Sequence, residues 1–358
     1  SKMHINQMSL IKQMGSRGKI GVIACDSGEV FAKKILRGLE RQRKKAFGVK
    51  KKKRVNYIPM TETHFPNGEI KTCIDQSIRG MDIYVVQDPE NKVTKQAIDK
   101  NVTSLRHAMD SAWRAGAGNI TAVLPYLPSS RQEVARGREC IAAAKMIRDL
   151  EASHADHILT LDVHNPAIAG VCSTARFEDL HAAKNHLDYI RSNISLENLM
   201  VCSPDLGGGE RSEYFANMLK TDLAIIRKKR DYTQPGKIEK MELIGEVNGR
   251  DVLLVDDMVA TAGTLVKGCE LLKENGANNI YFATSLPLFT HPAIERIDES
   301  FRKGQITKII GTDAVYHGGK EFQKEHPWYT EVSVAGYFAK VIWNLNHDRS
   351  ISGLLADK

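Results

Sequence analysis

Residues 251–264 read Asp-Val-Leu-Leu-Val-Asp-Asp-Met-Val-Ala-Thr-Ala-Gly-Thr. The apolar run 252–255 has the continuous hydrophobicity of a parallel strand buried on both faces. Two adjacent carboxylates, Asp256 and Asp257, follow at its carboxyl end. Thr261, Ala262, Gly263 and Thr264 then make a small-residue turn that opens a helix, because Leu265, Cys269 and Leu272 recur at helical spacing and Asn275-Gly276 supplies a stop. In open α/β sheets ligands bind at the carboxyl ends of strands. A tight turn into a helix offers unpaired N–H groups and a favourable dipole to a phosphate, and the two threonines add hydroxyl donors. Paired acids suit hydroxyls or a bound Mg²⁺ better than a phosphate. The ligand this chemistry describes is a phosphate joined to a diol, a ribose phosphate.

The same strand-then-helix rhythm extends outward in both directions. Strand-like runs lie at 20–24, 55–60, 81–86, 120–124, 158–163, 199–202, 223–226, 251–255, 280–285, 308–310 and 331–334. Helix-period stretches lie between them near 29–41, 97–115, 138–152, 176–191, 209–220 and 264–275. This alternation predicts an α/β protein with parallel sheets covered by helices. The chain has 358 residues, enough for two domains. The expected division is 1–177 and 178–335, with a terminal helical segment, 336–358, packing back on the first domain.

Composition narrows the class further. Hydrophobic residues make up 42% and charged residues 26%, as in ordinary globular proteins. No apolar run approaches the length of a membrane span, and the first 19 residues contain no apolar segment followed by a cleavage site. The six cysteines form no CxxC pair, which argues against a zinc framework or a disulfide scaffold. A cytoplasmic location is therefore expected. The formal net charge of +8 comes almost entirely from 41–54, RQRKKAFGVKKKKR, which holds nine basic residues and no acid. Elsewhere bases and acids nearly cancel, which argues against a general nucleic-acid surface. The run itself reads as a solvated loop, with a phosphate, polyanion or partner contact as the other reading.

Five further segments share the form of a polar cluster beside a strand. They are Pro125–Glu133 (PYLPSSRQE), Leu161–Pro166 (LDVHNP), Ser203–Arg211 (SPDLGGGER), Ile225–Arg230 (IIRKKR) and His64–Glu69 (HFPNGE). Taken singly, each has a structural reading: a loop arginine, a strand-end histidine, a glycine-rich turn, a solvated cationic edge, a Pro-Asn-Gly turn. Three successive glycines after Asp205 would let a ligand approach the backbone closely. Strand alternation places Lys228 and Arg230 on one face and Lys229 on the other. The polar stretch 231–240, with Thr233, Pro235 and Gly236, suits a mobile lid.

Together with 251–264, and with Ile78–Gln87 (IRGMDIYVVQ), these segments occur in the order found in ribose-phosphate pyrophosphokinases (PRPP synthetases). The chain resembles that family over about residues 20–340. The resemblance implies two type I phosphoribosyltransferase-like domains, each a mainly parallel sheet flanked by helices. It implies transfer of the diphosphoryl group of ATP to O1 of ribose 5-phosphate, with AMP released. It assigns Phe65, Asn67 and Glu69 to adenine from a neighbouring subunit, Arg131, Gln132 and His164 to ATP, and His164 and Asp205 to Mg²⁺. It assigns Asp205, Asp256, Asp257, Thr261, Ala262, Gly263 and Thr264 to ribose 5-phosphate, and Lys228 and Arg230 to stabilising the transferring group. It also implies a homo-oligomer built from dimers, with hexamers common.

The sequence departs from the family pattern in places. Ala260 stands where the ribose-phosphate loop normally carries a third acid, and Ser129-Ser130 precede Arg131 in place of the usual Tyr-Ala. The run 41–54 is an insertion just before the adenine segment. These departures leave open a catalytically impaired regulatory subunit as the alternative to an enzyme. A base-using phosphoribosyltransferase would not need the Arg131, His164 and Lys228 segments.

Overall fold

A computed structural model describes residues 16–48, 55–230 and 238–355. The chain divides into two compact units, residues 1–180 with 314–317 and 334–356, and residues 181–313 with 318–333 and 357–358.

The first unit is built on β1 (Ile20–Ala24), α1 (Glu29–Phe47), β2 (Asn56–Tyr57), β3 (Met60–His64), β4 (Ile70–Ile74), β5 (Asp82–Val86), α2 (Ile98–Arg114), β6 (Asn119–Val123), α3 (Ala142–Ala152), β7 (His157–Leu161) and β8 (Arg176–Leu180). Six of its strands form a parallel sheet in the order β2-β1-β5-β6-β7-β8. The central strands β1, β5 and β7 are buried along their whole length, as their largely apolar sequences lead one to expect. Ile23, Ile83, Val85, Ile120, Ala122 and Ile158 point to a common core with α2 and α3.

Two expectations are corrected in this unit. The expected strand at 55–60 is two strands: β2 ends at Tyr57, and β3 begins at Met60 and pairs antiparallel with β4 in a separate hairpin. The chain leaves the sheet after Tyr57 because alternate residues of β3 are polar and half-buried, a pattern that suits a two-stranded ribbon and not a buried sheet. The helix expected over 176–191 begins as β8, an edge strand beside β7, and the helix proper starts at residue 183. The first part of the basic run, through Phe47, continues α1, which ends at Gly48 with φ +78°; residues 49–54 lie outside the described residues.

The second unit contains α4 (Ala183–Asn193), β9 (Leu199–Ser203), α5 (Gly209–Leu219), β10 (Leu223–Arg230), β11 (Ile238–Ile244), β12 (Asp251–Val259), α6 (Gly263–Glu274), β13 (Ile280–Pro287), α7 (Ala293–Arg302), β14 (Lys308–Thr312), α8 (Lys320–Glu325) and β15 (Tyr329–Val332). Its sheet runs β11-β10-β9-β12-β13-β14-β15, parallel except for β11. Alternate residues of β12 feed two cores: Val252 and Leu254 face α6 and α7, while Leu253 and Val255 face α4 and α5. This two-sided burial is what the run 252–255 predicts.

Part of the expected lid is instead strand. Residues 231–237 lie outside the described residues, but from Ile238 the chain pairs antiparallel with β10 at the sheet edge. The ladder shifts register between Lys229 and Arg230. After β15, α9 (Ala335–Asn346) returns to the first unit and packs along α1, with Phe31 edge-on to Phe338 at 5.2 Å. A four-residue helix, α10 (Ser352–Leu355), follows.

Candidate functional site

In the second unit the site is built on the ends of β9, β10 and β12. β12 pairs with β9 only as far as Leu254, opposite Cys202, but stays paired with β13 through Val259. The strand therefore outruns its neighbour on one side, and Asp256 and Asp257 occur in that overhang. The expectation that the strand stops at Val255 is corrected accordingly: both acids belong to the strand. Asp257 is buried and Asp256 half-buried. The Asp257 N–H donates to Asp256 Oδ1 at 2.8 Å, and Thr284 Oγ1 donates to the Asp257 carbonyl at 3.2 Å. Arg211 on α5 holds Nη1 3.9 Å from an oxygen of each acid. Burial and the neighbouring Asp257 charge push the Asp256 carboxyl up to about 7, and Arg211 offsets only part of this.

The turn after these acids is tightly constrained. Ala262 has φ +60°, the left-handed region that a residue with a Cβ seldom occupies, and its side chain is buried. α6 starts at the next residue with no side chain capping it among the described residues. Its first N–H groups are thus left for a ligand, and the dipole favours an anion there. Arg296 on α7 donates Nη1 to the Thr261 carbonyl at 3.0 Å, and a Cβ on Gly263 would lie 3.3 Å from the same nitrogen. Thr261 is exposed and Thr264 half-buried.

Asp205 stands in the turn between β9 and α5. Its Oδ1 accepts the Gly208 N–H at 2.9 Å, its Oδ2 accepts Lys228 Nζ at 3.0 Å, and its carbonyl accepts Ser203 Oγ at 2.6 Å. Burial alone would raise its pKa, but the Lys228 and Gly208 bonds outweigh that and hold it below the usual carboxylate value. A Cβ at Gly209 would meet nothing, and at Gly207 or Gly208 only ordinary contacts. Packing within the protein does not demand three glycines here, so the space beside them is available to a ligand. Arg230 ends β10, with its side chain outside the described residues.

In the first unit, Arg131 and Gln132 occupy an exposed loop after β6, and His164 is exposed just after the adjacent β7. All three are at the carboxyl end of the six-stranded sheet. The loop is turned by Ser129 (φ +63°), whose carbonyl accepts the Gln132 N–H at 2.8 Å. Phe65, Asn67 and Glu69 form the tip of the β3–β4 hairpin. The Phe65 N–H donates to the Glu69 carbonyl at 2.9 Å, Gly68 takes φ +94°, and Asn67 Oδ1 accepts the Glu69 N–H at 3.2 Å. Phe65 is 41% exposed, one of several large apolar side chains open to solvent.

Arg211 and Arg296 are contributors that the sequence reading leaves without a role. Arg211 sits inside the glycine-rich segment, where a cation two residues beyond the last glycine is the one available signal. Arg296 comes from a different helix and has no local signal.

A parallel sheet whose acid-bearing strand turns through a strained loop into an uncapped helix defines a phosphoribosyltransferase-type domain, and residues 173–317 match the phosphoribosyl transferase domain family. Residues 20–153 match the N-terminal domain of ribose phosphate pyrophosphokinase. Ribose-phosphate pyrophosphokinase of Wolinella succinogenes is 33% identical over 295 residues, covering 82% of this chain and 90% of that protein. Ribose-phosphate pyrophosphokinase 1 of Listeria monocytogenes is 32% identical over 333 residues, covering 92% and 99%. The crystal structure of phosphoribosylpyrophosphate synthetase from Mycobacterium smegmatis superposes with a TM-score of 0.78 at 26% identity, over 92% of this chain and 99% of that one. The chain belongs to the ribose-phosphate pyrophosphokinase family.

Proposed function

We propose that this protein is an active ribose-phosphate diphosphokinase: it joins O1 of ribose 5-phosphate to the β-phosphorus of ATP, breaks the bond between that phosphorus and the α,β-bridging oxygen, and releases AMP. The observation that carries the reading is the overhang of β12, where Asp256 and Asp257 precede the uncapped start of α6. The 5-phosphate takes the N–H groups and hydroxyls of Thr261, Ala262, Gly263 and Thr264. Ionised Asp256 and Asp257 accept hydrogen bonds from the ribose diol.

Phosphoryl transfer asks a protein for positioning and charge compensation more than for covalent chemistry. Lys228 and Arg230 supply the compensation as charge grows on the transferring group. Arg131 and Gln132 hold the nucleotide. The Phe65, Asn67 and Glu69 hairpin meets adenine from a neighbouring copy in a dimer-based homo-oligomer, a reading supported by the exposed Phe65 ring.

An oxygen donor such as Asp205 fits Mg²⁺. A magnesium ion held mainly by phosphates and water asks the protein for one or two ligands. His164, exposed at a strand end of the first unit, is proposed for an ion carried by the nucleotide, and Asp205, in the second unit, separately offers an ionised carboxylate beside an open backbone. Bound there, the ion would neutralise phosphate charge and raise the reactivity of O1. Free cysteines and the absence, among the described residues, of any helix long and apolar enough to cross a membrane support a cytoplasmic location.

The test is an assay of the full chain with ATP, Mg²⁺ and ribose 5-phosphate. The expected result is AMP and 5-phosphoribosyl diphosphate in equal amounts. A correctly folded protein that binds both substrates and releases no AMP would sink the proposal.

A further inference from the structure

Asp26 follows β1 at its carboxyl end, and Glu62 and His64 are two residues apart on β3. The period of two in a strand puts both β3 side chains on one face, and the structure turns that face toward Asp26. His64 Nε2 lies 3.0 Å from Asp26 Oδ2 and 3.4 Å from Glu62 Oε1. One ligand atom from each residue falls within 4.8 Å of the other two.

The second observation is the state of Glu62. Its side chain is 1% exposed. Oε2 accepts the Asp26 N–H at 3.1 Å, while Oε1 has no hydrogen-bond donor. A single Nε2 proton can serve one oxygen, and the shorter contact is to Asp26. No lysine or arginine among the described residues pairs with Glu62. A buried carboxylate oxygen without donor or cation is costly, and this one lies 3.4 Å from the imidazole nitrogen. His64 Nδ1 is also buried without a partner, so Nε2 is the ring atom that the cluster uses.

We propose that Asp26, Glu62 and His64 bind a divalent transition-metal ion of the zinc class. Bonds of about 2.0–2.2 Å to such an ion set neighbouring ligand atoms roughly 3.0–3.5 Å apart, the spacing of both imidazole–carboxylate contacts here. An imidazole with two carboxylates suits Zn²⁺ or Co²⁺, whereas Mg²⁺ and Ca²⁺ prefer oxygen alone. Three protein ligands leave a position for water, and exposed Asp26 gives the ion a way in. The ion ties the end of β1 to β3, one residue before Phe65. None of the three residues is assigned to the transfer reaction, so this site and that reading stand or fall separately.

The experiment uses the full chain, stripped with chelator, carrying His164→Ala and Asp205→Asn to remove the other metal ligands proposed above. Titration with Co²⁺ is followed by visible absorption, and Zn²⁺ by its effect on Tm. One Co²⁺ per chain is expected, with a Tm rise in Zn²⁺. Adding Glu62→Gln, which keeps the shape, or Asp26→Asn, which is exposed, is expected to weaken Co²⁺ binding at least tenfold and abolish the Tm rise. Circular dichroism in chelator checks that each variant is folded. No Co²⁺ bound by the background protein, or binding unchanged by both substitutions, would overturn the proposal.

Discussion

Lys228 Nζ donates to Asp205 Oδ2 at 3.0 Å, so the cation proposed for the transferring group is held, without substrates, by the carboxylate proposed for metal and ribose. The bond is half-buried, and it keeps Asp205 ionised against its burial. Lys228→Ala is expected to lower kcat about 10²–10³-fold, the scale of losing one donor to developing charge, with ribose 5-phosphate affinity changed less than threefold. Asp205→Asn releases the lysine and is expected to raise the Mg²⁺ concentration needed for half-maximal rate. Steady-state kinetics against Mg²⁺ separates the two effects; equal losses of kcat and sugar affinity in Lys228→Ala would contradict the role given to it.

The acid pair makes a prediction with a definite sign. Burial and Asp257 raise the Asp256 pKa to about 7, above the roughly 4 of an unfolded carboxyl. A raised carboxyl costs stability once ionised: nothing is lost below pH 4, and the cost grows as pH rises toward 7, then levels off. Asp256→Asn is therefore expected to raise Tm more at pH 8 than at pH 5. Sugar binding needs the ionised form, so ribose 5-phosphate affinity is expected to fall as pH drops below 7, and to do so less in Asp256→Asn. Asp257→Ala removes both a diol partner and the repulsion; calorimetry is expected to show at least tenfold weaker binding. A pH-independent Tm difference would show that Asp256 is not strained in this way.

How much of this was legible follows from where each signal resides. The run 252–255 is buried on both faces, so its sequence is apolar without a break, and the strand and the turn after it could be read directly. The overhang of β12 could not, because it depends on where β9 stops. The apolar spacing over 176–191 reads as helix throughout, yet Arg176–Leu180 is an edge strand fixed by pairing with β7. Arg296 reaches the Thr261 carbonyl from α7, 35 residues away in sequence, and no local pattern encodes such a contact. The hairpin tip was visible through Pro66-Asn67-Gly68, but its half-polar strands were not.

Ala260 follows the β12 overhang where the family pattern has an acid, and its carbonyl accepts the Thr290 N–H at 3.0 Å. A carboxylate here would add a third negative charge to a pair that already resists full ionisation. Ala260→Asp is expected to shift the pH midpoint of ribose 5-phosphate binding upward and make that binding more dependent on Mg²⁺. Calorimetry at pH 6 and pH 8, with and without Mg²⁺, reads both effects. An unchanged midpoint would place residue 260 outside the electrostatic reach of Asp256.

The seam between α1 and α9 offers a test of packing in the first unit. A Cβ on Gly38 would lie 2.5 Å from the Ala339 Cβ, more than 1 Å inside normal contact. Two effects compete in Gly38→Ala. Helix propensity favours alanine by about 1 kcal/mol. Overpacking a closed seam costs about 1–3 kcal/mol, and here the helices cannot part without loosening fully buried Phe338 and the Phe31 ring against it. Packing wins, so Gly38→Ala is expected to lower Tm by a few degrees. Ala339→Gly creates the missing space, and the double variant Gly38→Ala/Ala339→Gly is expected to recover most of the loss. A higher Tm in the single variant, or no recovery in the double, would mean that the seam yields and that glycine is not required for the close approach of the two helices.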